Sequence, residues 1–455
     1  MKLRALLAPF SLLILLACNS AIAAKIPDPP TIEARSFVLM DHASGEILAE
    51  RNADARVEPA SITKVLLSYV VYDEVKNGRL NWDDEVLISE KAWKQGIDSS
   101  ESRMFLNVGS KVKLDDLMHG IVIQSGNDAS IAVAEHVAGS EAAFAELMNQ
   151  YAAKLGMKNS HFTNAPGLPN EQHYTTARDI AILGRALINN FPEDYKVYAQ
   201  REFVYNGIKQ PNRNLLLKMD SDADGIKTGH TRSAGYCLLS SVKRDDRRLI
   251  AAVMGTSGER YRAQASLELM NWGFRFFDTV TLFGPQKPIA KVRAWKGATQ
   301  ELELGAPETS LLLPRDSEDK IKLETRINEP LIAPIQQNQK VGEIKIHVDG
   351  KALKTVPVFA LEDIPAGSLF QQAVDQVGQV GAADRAQGGT PGDQGSHQGG
   401  GGLAVGPGPD RLTGEGLDQT GQGARGLVQR GRGIEGHPGR ADQGLEPVGQ
   451  RGGLG

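Results

Sequence analysis

The chain has 455 residues, 41% of them hydrophobic, and carries a formal net charge of −4. That length allows two or three domains, with enough apolar residues for a core over most of the chain. A nearly balanced charge gives no reason to expect a nucleic-acid surface.

The N-terminus reads as an export signal. Lys2 and Arg4 flank an apolar run from Ala5 to Ala17, too short for a stable membrane span. Ala21-Ile22-Ala23 then supplies the small residues of a signal-peptidase site, so residues 1–24 are expected to be removed. Leu15-Leu16-Ala17-Cys18 overlaps this signal and resembles a lipoprotein box, with Leu16 a poor match to its second position. The only other cysteine is Cys237, so the mature chain has no internal disulfide. Its apolar neighbours, Tyr236, Leu238 and Leu239, mark Cys237 as a small core residue.

Ser36 to Asn52 has the pattern of a hairpin, with apolar runs on either side of Asp41 to Gly45. A helix is expected from Ser61, where Val65, Leu66, Tyr69 and Val70 fall at helical spacing. Further helical patterns cover Leu114 to Ile123, Ala129 to Val137, Glu141 to Leu155 and Thr176 to Ile188. From Gly225 the pattern turns to strands, with Ala234 to Val242 and Arg248 to Met254 joined by a charged turn. Leu267 to Phe277 reads as a closing helix. Strands at both ends of a helical middle predict an α+β domain with an antiparallel sheet, here given the bounds 30–286.

Residues 287–365 read as a second, all-β domain. Lys291 to Trp295, Glu301 to Leu304, Ser310 to Leu313, Lys320 to Ile327 and Val341 to Val348 are its strand candidates, and Asp349-Gly350 suits a tight turn. Residues 366–455 are expected to be a short amphipathic start followed by a disordered tail. Residues 371–455 hold 26 of the 49 glycines and no Lys, Phe, Tyr or Trp, too little apolar area to offset the entropy of ordering.

Three motifs carry the chemistry. Ser61-Ile62-Thr63-Lys64 opens a helix just after Pro59. One turn separates Ser61 from Lys64, which places both on one face at the positive end of the helix. A serine needs a base to act as a nucleophile, and a lysine held neutral by burial or a second cation can serve. Lys227 is the candidate for that cation. Ser125-Gly126-Asn127 falls between two helices, and Lys227-Thr228-Gly229 begins the strand-rich part. Each is weak alone, a turn or a sheet edge; the ordered set is specific. A second Ser-x-x-Lys, Ser110 to Lys113, sits in a glycine-flanked turn and reads as structural.

In these motifs, extended to Asp128 and to Asp224-Gly225-Ile226 before Lys227, the chain resembles the low-molecular-mass penicillin-binding proteins of the penicillin-binding protein 5/6 type. The resemblance runs from about Arg35 to Phe370. It implies a serine β-lactamase/transpeptidase-like catalytic domain and a serine D-alanyl-D-alanine carboxypeptidase acting on peptidoglycan stem peptides that end in D-Ala-D-Ala, in the periplasm, with β-lactams as covalent inhibitors. It further implies Ser61 as nucleophile, Lys64 as base and Ser125 as proton carrier. Asn127 would hold the substrate amide, and the backbone N–H groups of Ser61 and His230 the oxyanion. Lys227, Thr228, Gly229 and Arg262 would bind at the terminal carboxylate, with Arg260 the alternative arginine. Relatives commonly carry a His just before Gly-Leu where this chain has Pro166 before Gly167-Leu168, and often an amphipathic C-terminal helix on the inner membrane. Here Leu369, Phe370, Ala373, Val374 and Val377 begin such a face, and Gly378 and Gly381 interrupt it, so C-terminal anchoring is expected to be weak or absent.

No cofactor and no nucleic-acid partner are expected, and the histidines lack metal-ligand spacing. His161 and His173 are placed in a loop beside the cleft. Asp83-Asp84-Glu85 reads as a solvated turn. Two rivals remain at this stage: a serine β-lactamase, for which Glu171 stands in roughly the right region but in the wrong pattern, and a non-catalytic wall-binding protein on the same fold.

Overall fold

Period-two alternation builds the central sheet. In the computed structural model, which describes residues 26–97 and 101–375, strands β1 (Ser36–Asp41) and β2 (Ile47–Arg51) form the expected hairpin. Helix α1 (Thr63–Lys76) follows, then β3 (Glu85–Leu87), α2 (Glu90–Gln95), β4 (Lys111–Lys113) and α3 (Leu114–His119). Helices α4 (Asn127–Ala138), α5 (Glu141–Lys154) and α6 (Ala177–Asn190) complete a helical cluster. A small hairpin, β5 (Glu202–Tyr205) and β6 (Ile208–Pro211), and the short α7 (Leu216–Met219) lead back to the sheet. There β7 (Ala223–Thr231), β8 (Gly235–Arg244) and β9 (Arg247–Thr256) run in succession, and α8 (Glu259–Phe276) closes the unit.

The sheet order is β2-β1-β9-β8-β7, antiparallel throughout, with β7 at an edge. Val38, Met40, Ile250, Ala252 and Met254 point into the core shared with the helical cluster. Their neighbours Phe37, Leu39, Leu249, Ala251 and Val253 point to the opposite face, where Leu269 and Met270 of α8 cover them. Both faces of β1 are therefore buried, which is why Phe37-Val38-Leu39-Met40 is apolar without interruption. Helix α1 runs through the centre of the cluster, and every residue from Thr63 to Tyr72 is buried.

The second unit comprises β10 (Phe277–Phe283), β11 (Ala290–Trp295), β12 (Glu301–Gly305), β13 (Thr309–Pro314), β14 (Ile321–Ile327), β15 (Leu331–Ile332), β16 (Lys340–Val348) and β17 (Lys351–Ala360). Six strands form one sheet in the order β14-β16-β17-β12-β11-β15, and β10 pairs with β13. Asp349 and Gly350 both take positive φ in the β16–β17 turn, as the Asp-Gly pair requires. One boundary differs from expectation. The closing helix begins at Glu259 and ends at Phe276, and 277–283 pairs with β13, so the β unit begins at 277 rather than 287. The adjacent aromatics Phe276 and Phe277 make helical and strand patterns run into each other there.

Among the described residues no helix is long and apolar enough to cross a membrane. The export signal, Cys18, and the tail after Asp375 lie outside the described residues.

Candidate active site

Two close approaches of backbone shape the turn that carries Ser61. Ala60 takes a positive φ of 47° ahead of the single turn Ala60–Ile62, which leads directly into α1. Gly229 of β7 packs on this turn, and a Cβ there would lie 2.7 Å from the Pro59 carbonyl oxygen. On the other side Gly167, at φ +85°, lies so close that a Cβ would overlap the Ala60 carbonyl. Only glycine fits either position.

Lys64 reaches into the same place. Its side chain is 1% exposed. Lys64 Nζ lies 3.0 Å from Ser61 Oγ and donates to Asn127 Oδ1 at 2.8 Å and to the Pro166 carbonyl at 2.7 Å. Burial pushes its pKa down to about 7; the nearby Glu101 and Asp128 carboxylates oppose that shift, and the Arg213 guanidinium adds to it. A second cation, Arg213, thus acts on Lys64 beside the coupled Lys227 that the sequence suggested. Lys227 is itself held well below the usual lysine range by burial and by Lys64, Arg213 and Arg262.

The second motif sits where a helix is broken. After α3 the backbone widens into a π-helical turn, Gly120–Gln124, and ends on Ser125 with φ 63° and ψ 36°. A left-handed conformation in a non-glycine residue costs on the order of 1–3 kcal/mol and tends to occur at functional sites. It leaves Ser125 Oγ accepting a hydrogen bond from Lys227 Nζ at 2.9 Å. Asn127, the first residue of α4, donates from Nδ2 to Glu101 Oε2 at 2.6 Å. Asp128, fully buried, accepts from the backbone N–H of Met104 at 2.8 Å and of Leu106 at 3.2 Å, pinning the chain that crosses over the motif.

From the sheet edge come Lys227, Thr228, Gly229 and His230. Arg262 of α8 is 4% exposed, donates to the Gly229 carbonyl at 3.2 Å and pairs with Glu259 at 3.2 Å. Arg260 is exposed, so Arg262 is the inward arginine. The His230 ring stacks on Tyr236 with centroids 4.1 Å apart. Thr228, Gly229, His230 and Arg262 line a cleft of about 370 Å³ together with Ser61, Ser125, Asn127, Pro166, Arg213 and Glu101, and Lys227 reaches it through its bond to Ser125. Glu101 and Arg213 were not singled out from the sequence. No motif contains Glu101; Arg213 stands between two buried asparagines, Asn212 and Asn214, a weak sign of an ordered turn.

The discarded groups fall where a structural role puts them. Ser110 bonds to Asn107 O at 2.6 Å and leads into a short strand, where Lys113 pairs at the surface with Asp83. Glu171 is exposed. Cys237 is buried in β8, and burial pushes its thiol up to about 11. His173 is buried: its Nε2 lies 2.8 Å from Thr63 Oγ1, and its Nδ1 accepts from the Thr163 backbone at 3.1 Å. Among the described residues no group of His, Cys, Asp or Glu is arranged to hold a metal ion.

Two family models match the chain: D-alanyl-D-alanine carboxypeptidase (peptidase S11) over residues 23–258, and the penicillin-binding protein 5 C-terminal domain over 277–366. The chain is 42% identical to D-alanyl-D-alanine carboxypeptidase DacC of Escherichia coli over 380 residues, which cover 82% of this chain and 95% of that one. Penicillin-binding protein 5 from Haemophilus influenzae superposes with a TM-score of 0.70 at 38% identity, over 74% of this chain and 99% of that one. Penicillin-binding protein D2 from Listeria monocytogenes, in its cefotaxime-bound form, matches 55% of this chain and 100% of its own at 28% identity and a TM-score of 0.50. Helices against an antiparallel sheet, followed in the chain by an all-β domain, agree with the two family models and with the Haemophilus influenzae structure. The chain belongs to the D-alanyl-D-alanine carboxypeptidase family, peptidase S11, and is a serine-type carboxypeptidase of that class.

Proposed function

We propose that Ser61 is the nucleophile of this carboxypeptidase, Lys64 its base and Ser125 its proton carrier, acting on peptidoglycan stem peptides that end in D-Ala-D-Ala. The observation that carries the reading is the set of partners around Lys64 Nζ. A neutral lysine amine has two N–H groups and one lone pair. Asn127 Oδ1 at 2.8 Å and the Pro166 carbonyl at 2.7 Å take the two hydrogens. The lone pair is left for the Ser61 hydroxyl, 3.0 Å away.

The steps follow from that orientation. Ser61 Oγ loses its proton to Lys64 Nζ and attacks the carbonyl carbon of the penultimate D-Ala. Negative charge collects on the carbonyl oxygen, where the Ser61 and His230 backbone N–H groups are the expected donors; one such donor is typically worth about 3 kcal/mol. Ser125 passes a proton to the leaving nitrogen, and Lys227 Nζ at 2.9 Å resupplies that hydroxyl. The proton that Lys64 took from Ser61 makes up the one Lys227 gave away, so Lys64 is a neutral amine again. The C–N bond breaks and D-Ala departs. A water then attacks the acyl carbonyl as Lys64 takes its proton, and that proton returns to Ser61 Oγ as the ester bond breaks. The departing carboxylate lies among Lys227, Thr228, Arg262 and Arg213. The free N–H of the Asn127 amide holds the substrate backbone. In a β-lactam the leaving nitrogen stays tethered to the acyl group, so the adduct persists and the drug inhibits. The Listeria relative bound to cefotaxime supports this. A peptidoglycan substrate supports a periplasmic place of action.

Mass spectrometry after penicillin treatment tests the assignment. One adduct on Ser61, absent in Ser61→Ala, is expected; an adduct on Ser110, or an undiminished adduct in Ser61→Ala, overturns it. Lys64→Arg keeps a charge that cannot be given up and is expected to abolish acylation, whereas Lys227→Arg keeps the anchoring charge and part of the rate. Equal, complete loss in both refutes the division of roles.

A further inference from the structure

We infer that Glu101 is a positioning residue of this active site, its carboxylate holding the Asn127 carboxamide in the orientation that leaves the Lys64 lone pair free for Ser61. The inference rests on the reading of Lys64 as base.

A carboxamide has two ends and can turn over. As placed, Asn127 Oδ1 accepts from Lys64 Nζ at 2.8 Å and Nδ2 donates to Glu101 Oε2 at 2.6 Å. Turned over, the NH2 group would face Lys64. An ammonium would reject it, but a neutral amine would accept it, because Nδ2–H would donate into the lone pair. That is the protonation state in which Lys64 works, and in the turned-over form the lone pair needed by Ser61 is occupied. Lys64 therefore cannot select the productive orientation by itself. Glu101 can. An ionised carboxylate only accepts hydrogen bonds, so turning Asn127 over would set its carbonyl against the Glu101 oxygens. The carboxylate is also held from behind, where Gln95 Nε2 donates to the same Oε2. Asn127 is 5% exposed and its backbone N–H is fixed on the Ser102 carbonyl at 2.9 Å, so the side-chain amide is the part left to be oriented.

Charge adds a second effect. Among the charged groups that act on Lys64, Glu101 and Asp128 favour the ammonium and Arg213 the neutral amine, with Glu101 foremost of the three. Lys227, which donates to Ser125, and His173, bonded to Thr63, are the other titratable neighbours coupled to Lys64. Removing the charge of Glu101 while keeping its acceptor should make Lys64 lose its proton at lower pH.

Two variants separate the effects. Glu101→Gln loses the charge and, since an amide can present either its oxygen or its NH2 group to Asn127, loses the choice between the two orientations while keeping a hydrogen bond; Glu101→Ala loses the hydrogen bond as well. Acylation by fluorescent penicillin is measured from pH 5 to 9 beside hydrolysis of a peptide ending in D-Ala-D-Ala, with melting temperature and adduct stoichiometry reporting folding. In both variants the acid limb should move to lower pH and the plateau should fall, about tenfold or more in Glu101→Ala, the effect of freeing a group held by a charge-assisted hydrogen bond. An unmoved limb in Glu101→Gln, or a Glu101→Gln plateau equal to the parent's, overturns the inference. A parent enzyme with no acid limb at all would instead refute Lys64 as base, so the two failures are distinct.

Discussion

In the proposed mechanism Lys64 has to be an amine when Ser61 gives up its proton, and its surroundings make that possible near neutrality. Its pKa is pushed down to about 7, chiefly by burial. Below that pH the lone pair is occupied by a proton; above it the base is available. Acylation by penicillin should therefore rise through pH 7 and level off above it. A rate flat from pH 5 to 9 in stopped-flow would contradict this. Ser61, Lys64, Ser125 and Lys227 were legible in the sequence because short, ordered motifs carry them. Three neighbours were not. Pro166 contributes only a carbonyl, which any residue could supply, and Glu101 and Arg213 reach the cleft from segments whose placement depends on the tertiary fold.

At the level of elements, the loop 161–173 acts as the wall against which the Ser61 turn is set. Gly167 occupies a positive φ and touches the Ala60 carbonyl. Gly167→Ala should cost about 3 kcal/mol or more in urea unfolding and reduce acylation, since it combines a strained backbone with an overlap that neither partner can relieve by rotating a side chain. A variant with parent-like stability and rate would refute the close approach. His173 ties this loop to α1 through Thr63, and burial lowers its pKa from 6.5 to about 4, with His161 and Lys64 adding to the shift. The sign follows. The unfolded chain takes up the proton first, so stability is full above pH 6.5, falls as pH drops toward 4, and stops falling below it, on the order of 3 kcal/mol in all. His173→Gln can keep a donor for Thr63 and an acceptor for Thr163, and should flatten that part of the stability profile in urea titrations between pH 4 and 7. The helices and strands around this loop were readable from periodicity. The π-helical turn before Ser125 was not, because its residues keep the apolar spacing of an ordinary helix.

Over the whole molecule the two units are joined by polar contacts. Thr279 Oγ1 donates to Asp41 Oδ2 at 2.6 Å, and Asp278 is flanked by Arg247 and Arg315 at 3.4 Å each. The β unit also fixes the last described turn. Ser368 Oγ accepts from the Gln371 backbone at 3.3 Å while Gln371 Oε1 accepts from the Ser368 backbone at 2.9 Å, a reciprocal cap. Asp375 accepts from Arg293 at 2.8 Å and from the Lys296 backbone at 2.7 Å. The polar groups so held leave Leu369, Phe370 and Val374 exposed by 86%, 79% and 54%. Fully burying three such side chains in a lipid interface is worth roughly 1.5–3 kcal/mol each before the cost of immobilisation, a marginal and reversible hold comparable to one acyl chain. A firm hold needs the face to continue, with aromatic and basic residues at the boundary. After Phe370 the sequence supplies no Phe, Tyr, Trp or Lys. The full chain and one cut after Gly367, which keeps the Ile335–Ile364 and Gly297–Ala366 bridges, should therefore both be recovered mainly in the soluble fraction after a salt wash, with equal activity on a D-Ala-D-Ala peptide. A full chain that pellets while the shorter one stays soluble would show that the segment after Gly367 anchors it. If both pellet, the hold lies at the other end of the chain, and Cys18→Ala should release them.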